Sequence, residues 1–197
     1  VTIHDRTWIV KEVIENDRAD LAFYYLRAGE ESSTRRQGPS DYSCSQQLDD
    51  IERAIADPQS FEGMERQLVT EALLAAKISR NLERPQFETD GRFARAIRLA
   101  RQHGTHRQQL EAQYEQIWTR FWWFDDVRFF NESYGDFEGC VLQSRHSKTL
   151  QLLGNLHQLL VNCIVHRHLT REECLYEERT ARLKEALEAE ARDIHRP

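Results

Sequence analysis

Proline and glycine are scarce in this chain, with four Pro and eight Gly among 197 residues. A sheet protein draws on both for its many tight turns, so their scarcity argues against one. No apolar run approaches the length of about 18 residues that a membrane-spanning helix needs. The four cysteines, Cys44, Cys140, Cys163 and Cys174, form no tight framework, and a chain of this size can build a core without staples. Reduced thiols in a cytoplasmic protein are the expectation. The opening VTIHDRTWIV carries no basic-then-apolar leader pattern, in line with that location. Net charge is −6, which gives no electrostatic footprint for duplex nucleic acid. Also absent are a Gly-rich phosphate loop, a Gly-x-Ser-x-Gly elbow and a His-Glu-x-x-His helix.

What the chain does have is helix-forming composition, rich in Glu, Arg, Leu, Ala and Gln, with 30% charged residues. The fold class is therefore all-α, a single domain over 1–197 of about seven to eight helices. The stretch at its centre is Gln116–Phe130, QIWTRFWWFDDVRFF, where Phe121, Trp122, Trp123 and Phe124 stand in a row. At about 100° per residue four such neighbours cover most of a helix circumference, and a helix apolar all round is normally buried.

Taken in order, a first helix spans 5–28, and a long polar loop, GEESSTRRQGPSDYS, fills 29–43. A short amphipathic helix over 45–56 stops before Pro58. Ser60 then caps a helix with the stripe Phe61, Met64, Leu68, Val69, Leu73 and Ile78, closed by Arg84-Pro85. Another runs from about Gly91 to His103. Thr105 and Gln108 make a capping box that opens the aromatic helix, which continues to Phe130. Asn131–Gly139, NESYGDFEG, reads as a turn-rich acidic connection. The Leu-rich segment 147–168 is the most apolar helix. Thr170 and Glu173 make a second capping box for a charged C-terminal helix over 170–193, whose thin seam is Leu175, Leu183 and Leu187. Such a narrow seam suits packing along one side or pairing with another chain, which makes this helix a candidate oligomerisation element. Trp118, Phe121 and Trp122 are expected to pack with Leu153, Leu156 and Leu160.

Three constellations carry candidate chemistry. Cys140, His146, His157, Cys163, His166, His168 and Cys174 are dense in zinc-type ligands. Helical geometry narrows them to Cys163 and His166, neighbours at i, i+3, with Cys174 folding back; it sends His166 and His168 to opposite sides. The acidic cluster Asp125, Asp126, Glu132, Asp136 and Glu138 is expected to pair with Arg120 or Arg128. Finally, Arg-x4-His occurs twice, as Arg98/His103 and Arg101/His106. Over these few residues the chain resembles the short motif of the HEPN ribonucleases, helical proteins in which Arg and His act on the RNA backbone without metal. That family has a polar residue after the Arg; Gln102 agrees and Leu99 departs. The resemblance implies a metal-independent ribonuclease or toxin-like enzyme, with Arg98 or Arg101 stabilising phosphorane charge and His103 or His106 moving a proton.

With no catalytic signature across the chain, the leading functional expectation is a non-catalytic helical interaction or regulatory module. Its partner is a protein, including a second copy of itself as a homodimer, and it needs no cofactor. The HEPN-like enzyme and a zinc-binding helical protein are the alternatives.

Overall fold

A computed structural model describes residues 39–57, 59–144 and 147–194. The expected helix over 5–28, most of the polar loop and His146 lie outside the described residues, so the single domain expected over 1–197 extends beyond them too. Among those described there are seven helices and no strand. They are α1 (Pro39–Ala56), α2 (Glu65–Asn81), α3 (Gln86–His103), α4 (His106–Phe124), α5 (Val127–Ser144), α6 (Ser147–Val165) and α7 (Tyr176–Ile194). The protein is all-α, as its composition dictates. No described helix is long and apolar enough to cross a membrane.

Several helix boundaries differ from the sequence expectation, each for a local reason. The chain is helical from Pro39, inside the expected loop, because a proline in the first turn sacrifices no hydrogen bond. Ser60 does not cap α2. Its hydroxyl donates to the Asp57 carboxylate at 2.9 Å, which also accepts the Gln59 N–H at 3.1 Å. The resulting turn passes Gly63 at φ 74°, and α2 begins only at Glu65. Phe61 and Met64 thereby drop out of the apolar stripe, while Val69, Leu73 and Ile78 remain in it, buried. Helix α3 starts directly after Pro85, one turn earlier than Gly91 suggests.

The largest correction falls on NESYGDFEG. It is not a connection but the middle of α5, and Phe130, Tyr134, Phe137, Glu138 and Val141 form its buried stripe. Gly135 and Gly139 face open space, and each costs the helix roughly 1 kcal/mol relative to Ala. Burying three aromatic rings on the opposite face outweighs that cost. The break that starts α5 sits earlier, at Asp125, which adopts the left-handed conformation at φ 52°. Asp126 then accepts the Phe129 N–H at 2.9 Å, which makes it the N-cap of α5.

The core gathers α4 through α7. Leu110 and Ile117 of α4 meet the α5 aromatics, Leu150, Leu153, Leu156, Leu159, Leu160 and Cys163 of α6, and Leu183 of α7. Leu153, Leu156 and Leu160 are buried as expected, whereas Trp118, Phe121 and Trp122 are only partly buried against the same cluster. Four consecutive aromatics cannot all face one core. Trp123 is covered by a guanidinium group, with Arg80 4.7 Å over its ring, and beyond the break Arg120 lies 4.5 Å over Phe129. A second cluster packs Val69, Ala72 and Ala76 of α2 on Phe93, Ala96 and Ala100 of α3, and α1 adds Leu48 and Ile51 against Ala75 and Ile78.

The C-terminal segment is also divided. The Thr170–Glu173 box forms, with both reciprocal hydrogen bonds, but it caps only a turn. Leu175 at φ 49° ends that turn, and α7 begins at Tyr176. Of the expected seam, Leu183 is 7% exposed inside its own core, whereas Leu175 and Leu187 are about half exposed at 50% and 49%.

Candidate functional site

Several arginines, most of them partly buried, have a structural task. Arg92 and Arg95 of α3 hold Glu52 of α1 at 2.9 and 2.7 Å. Arg80 of α2 donates to Glu115 of α4 at 2.6 Å, and Lys77 joins the same carboxylate at 2.9 Å. Arg120 of α4 bridges Asp90 of α3 and Asp126. In α7, Arg182 holds Glu138 of α5 at 2.6 Å, and Arg179 donates to Asn131 at 2.8 Å. Every one of these groups ties helices together. Three of the five acidic-cluster residues are paired: Asp126 with Arg120 and, within α5, Glu132 with Arg128 as expected, and Glu138 with Arg182, a partner the sequence did not suggest.

Arg98 and Arg101 are different. Both are exposed on α3, one turn apart, and they line a cleft of about 620 Å³ bounded by α3, α4 and α5. Gln102 stands beside them, Gln113, Gln116 and Ile117 of α4 form the floor with Ile97, and Ser133, Asp136 and Phe137 of α5 make the facing wall. Neither guanidinium makes a hydrogen bond or ion pair to another described residue. The cleft exists because α3 and α5 both pack on α4 and so flank its exposed face.

Arg98 and Arg101 line the cleft; His103 and His106 are exposed at the α3–α4 turn and are not among its lining residues. That turn is tight, since a Cβ on Gly104 would stand 2.7 Å from the Ala100 carbonyl oxygen, and only glycine fits.

Cys163 and Cys174 are both buried in the core between α6 and α7, while His166 is half-buried beyond the end of α6. Among the described residues no group of three or more His, Cys, Asp or Glu side chains is placed to hold a metal ion. Burial pushes the Cys163 thiol up to about 12 and raises Cys174 as well, so both favour the protonated form. His166 and His168 meet, contrary to the helical expectation, with ring centroids 6.3 Å apart. The helix ends at Val165, and Arg167 at φ 60° turns the chain back.

One polar assembly has no sequence signature. His157 of α6 sits between the Tyr134 hydroxyl, 3.2 Å from Nδ1, and Thr180 Oγ1, 3.2 Å from Nε2, and stacks on Tyr176 at 5.7 Å. Thr180 donates its own proton to the Tyr176 carbonyl at 2.7 Å, so it accepts from Nε2–H, and Tyr134 donates to Nδ1. Burial lowers the affinity of His157 for a second proton; Glu138 opposes that effect and Arg179 adds to it. Burial likewise raises the Tyr134 phenol, helped by Glu138. This assembly clamps α5, α6 and α7 together, and only the i, i+4 spacing of Tyr176 and Thr180 on α7 was locally visible.

Compared with known proteins, the chain matches no protein family, no curated protein and no solved structure.

Proposed function

We propose that this protein is a non-catalytic helical interaction or regulatory module whose recognition surface is the cleft between α3, α4 and α5. The observation that carries this reading is the contrast among its arginines. The bridging guanidinium groups tie helices together, while Arg98 and Arg101 have no partner among the described residues and stand on a concave wall. Unpaired guanidinium forks bind carboxylate or phosphate oxygens. Among the described residues the cleft lining contains no imidazole and no thiol.

The test uses fluorescein-labelled poly-L-glutamate as an anionic probe at low ionic strength. Although the chain itself carries a net charge of −6, it should retain the probe, and added salt should release it. Arg98→Glu with Arg101→Glu should abolish retention while leaving the circular dichroism spectrum unchanged. A parent that ignores the probe, or a double variant that binds it equally, removes the cleft from this role.

The same reading includes self-association through the half-exposed Leu175 and Leu187 of the C-terminal segment. Light scattering should give a mass that rises with protein concentration and returns to the monomer in Leu187→Glu. Leu183 does not belong in this test, because it packs in its own core. A parent that stays monomeric at high concentration sinks the self-association and leaves the cleft untouched.

A further inference from the structure

We infer that the α3–α4–α5 cleft binds a mononucleotide, with its phosphate on Arg98 and Arg101 and its sugar toward Asp136. This rests on the reading of the cleft as the recognition surface and names the ligand.

The walls are chemically unequal. Arg98 and Arg101 lie on α3 three residues apart, so their origins differ by about 4.5 Å along the helix axis. Two guanidinium forks at that spacing offer up to ten N–H donors to a single group, more than one carboxylate can accept. A phosphate monoester, with three terminal oxygens and close to two negative charges near neutral pH, uses both forks. The facing wall on α5 carries the opposite character. Asp136 is an exposed carboxylate with no partner among the described residues, and it accepts hydrogen bonds only. A ligand anionic at both ends would be repelled there. One that is anionic at one end and presents hydroxyl donors at the other suits both walls, and an acidic side chain on ribose hydroxyls is a known solution to that recognition problem.

Between the walls the floor is mixed. Ile97 and Ile117 are apolar, and Gln113 and Gln116 are partly buried amides, each with two donors and an acceptor unclaimed by described residues. A heteroaromatic base has the matching pair of surfaces, an apolar face and a hydrogen-bonding edge. The volume, about 620 Å³, lies within the roughly 300–1,000 Å³ range of small-molecule sites. The proposal is for binding alone and involves no bond cleavage.

Isothermal titration of the full chain with AMP, adenosine, 2′,3′-dideoxy-AMP and inorganic phosphate separates the parts. AMP should bind with one site per chain, and adenosine, lacking the phosphate, at least about tenfold more weakly. Arg98→Ala and Arg101→Ala should each weaken AMP by a similar factor without affecting adenosine. The dideoxy analogue should bind the parent more weakly than AMP does, and that difference should vanish in Asp136→Ala, which has no side-chain acceptor. Failure of AMP to bind, or full affinity in Arg98→Ala with Arg101→Ala, overturns the inference. Equal affinity of the parent for AMP and its dideoxy analogue overturns the sugar placement. Inorganic phosphate binding as tightly as AMP overturns the nucleotide assignment. If poly-L-glutamate still binds in an Arg98- and Arg101-dependent way while AMP does not, the ligand assignment fails and the interaction reading stands. If neither probe binds, both fail together.

Discussion

Phe130→Ala should cost about 3–5 kcal/mol in urea or guanidinium denaturation. Phe130 is fully buried, with its ring 5.1 Å from Phe121 of α4 and 6.2 Å from Tyr134 one turn along α5. Removing it opens a cavity between α4 and α5 at the centre of the larger core, and neighbouring helices relax only partly into such a space. A loss of that size is a large part of the roughly 5–15 kcal/mol that holds a domain of this kind together. Phe129, its neighbour, gives the control. It is half-buried under the Arg120 guanidinium, and Phe129→Ala should cost only about 1 kcal/mol. Were Asn131–Gly139 the connection that its Asn, Ser, Asp and Gly content suggests, Phe130 would sit at a fraying helix end. A measured loss below about 1 kcal/mol would restore that picture and take α5 out of the core.

Glu115→Ala should destabilise by roughly 3 kcal/mol, toward the lower end for breaking a buried pair, because it strands two cations at once. The Arg80 side chain is 12% exposed and the Glu115 side chain 14%, so neither charge has much water to fall back on. Arg80 keeps Thr119 at 3.0 Å and the Trp123 face, which limits the loss. The same contact has a pH signature. Burial alone would push the Glu115 carboxyl up, but Arg80 and Lys77 more than offset it and hold the carboxyl below its ordinary value of 4.5. Glu52, hydrogen-bonded by Arg95 and Arg92, is depressed likewise. A carboxyl depressed in the folded state stabilises above its unfolded value, and that contribution is lost as pH falls through the folded one. His157, held neutral chiefly by burial, has the same sign, starting below its ordinary 6.5. Stability should therefore fall in two stages on acidification: gently below 6.5, then more steeply below 4.5. Glu115→Gln should flatten the second stage and leave the first. An unchanged slope below 4.5 in that variant would show that the pair carries no net stabilisation.

How much of this was legible depended on the range of the interaction. Helix periodicity and capping are local, and they were read correctly wherever nothing distant competed. The Leu pattern of α6, the Thr105–Gln108 box and the Val69, Leu73, Ile78 stripe of α2 all appear as their spacing implies. Where local signals conflicted, the reading failed. The aromatic run through Phe130 concealed the Asp125–Asp126 break, although Asp126 is a competent N-cap. In α5 the turn-forming residues lie on the open face, and an i, i+4, i+7 stripe of Phe130, Tyr134 and Phe137 on the other face outweighs them. Capping at Thr170 was read correctly, yet its helix stops at Leu175, and no local signal marks a leucine at positive φ.

By itself the sequence determined the all-α class, most of the helices and the apolar faces they would bury, because those depend on contacts within a few turns. Tertiary structure alone decided which polar and charged groups pair. Arg80 finds Glu115 at a separation of 35 residues, Arg182 finds Glu138 at 44 and Arg179 finds Asn131 at 48. An arginine that will bridge two helices and one that will face a cleft look identical along the chain. Arg98 and Arg101 were singled out along the chain only by a short motif; the packing of α3 and α5 on α4 is what leaves them on a concave wall with no partner among the described residues. Tertiary structure also carried Leu183 into its own core. The physical reason is the same in each case: helix formation is governed by neighbours in the chain, whereas the pairing of charges and the shape of a cleft depend on residues that only folding brings together.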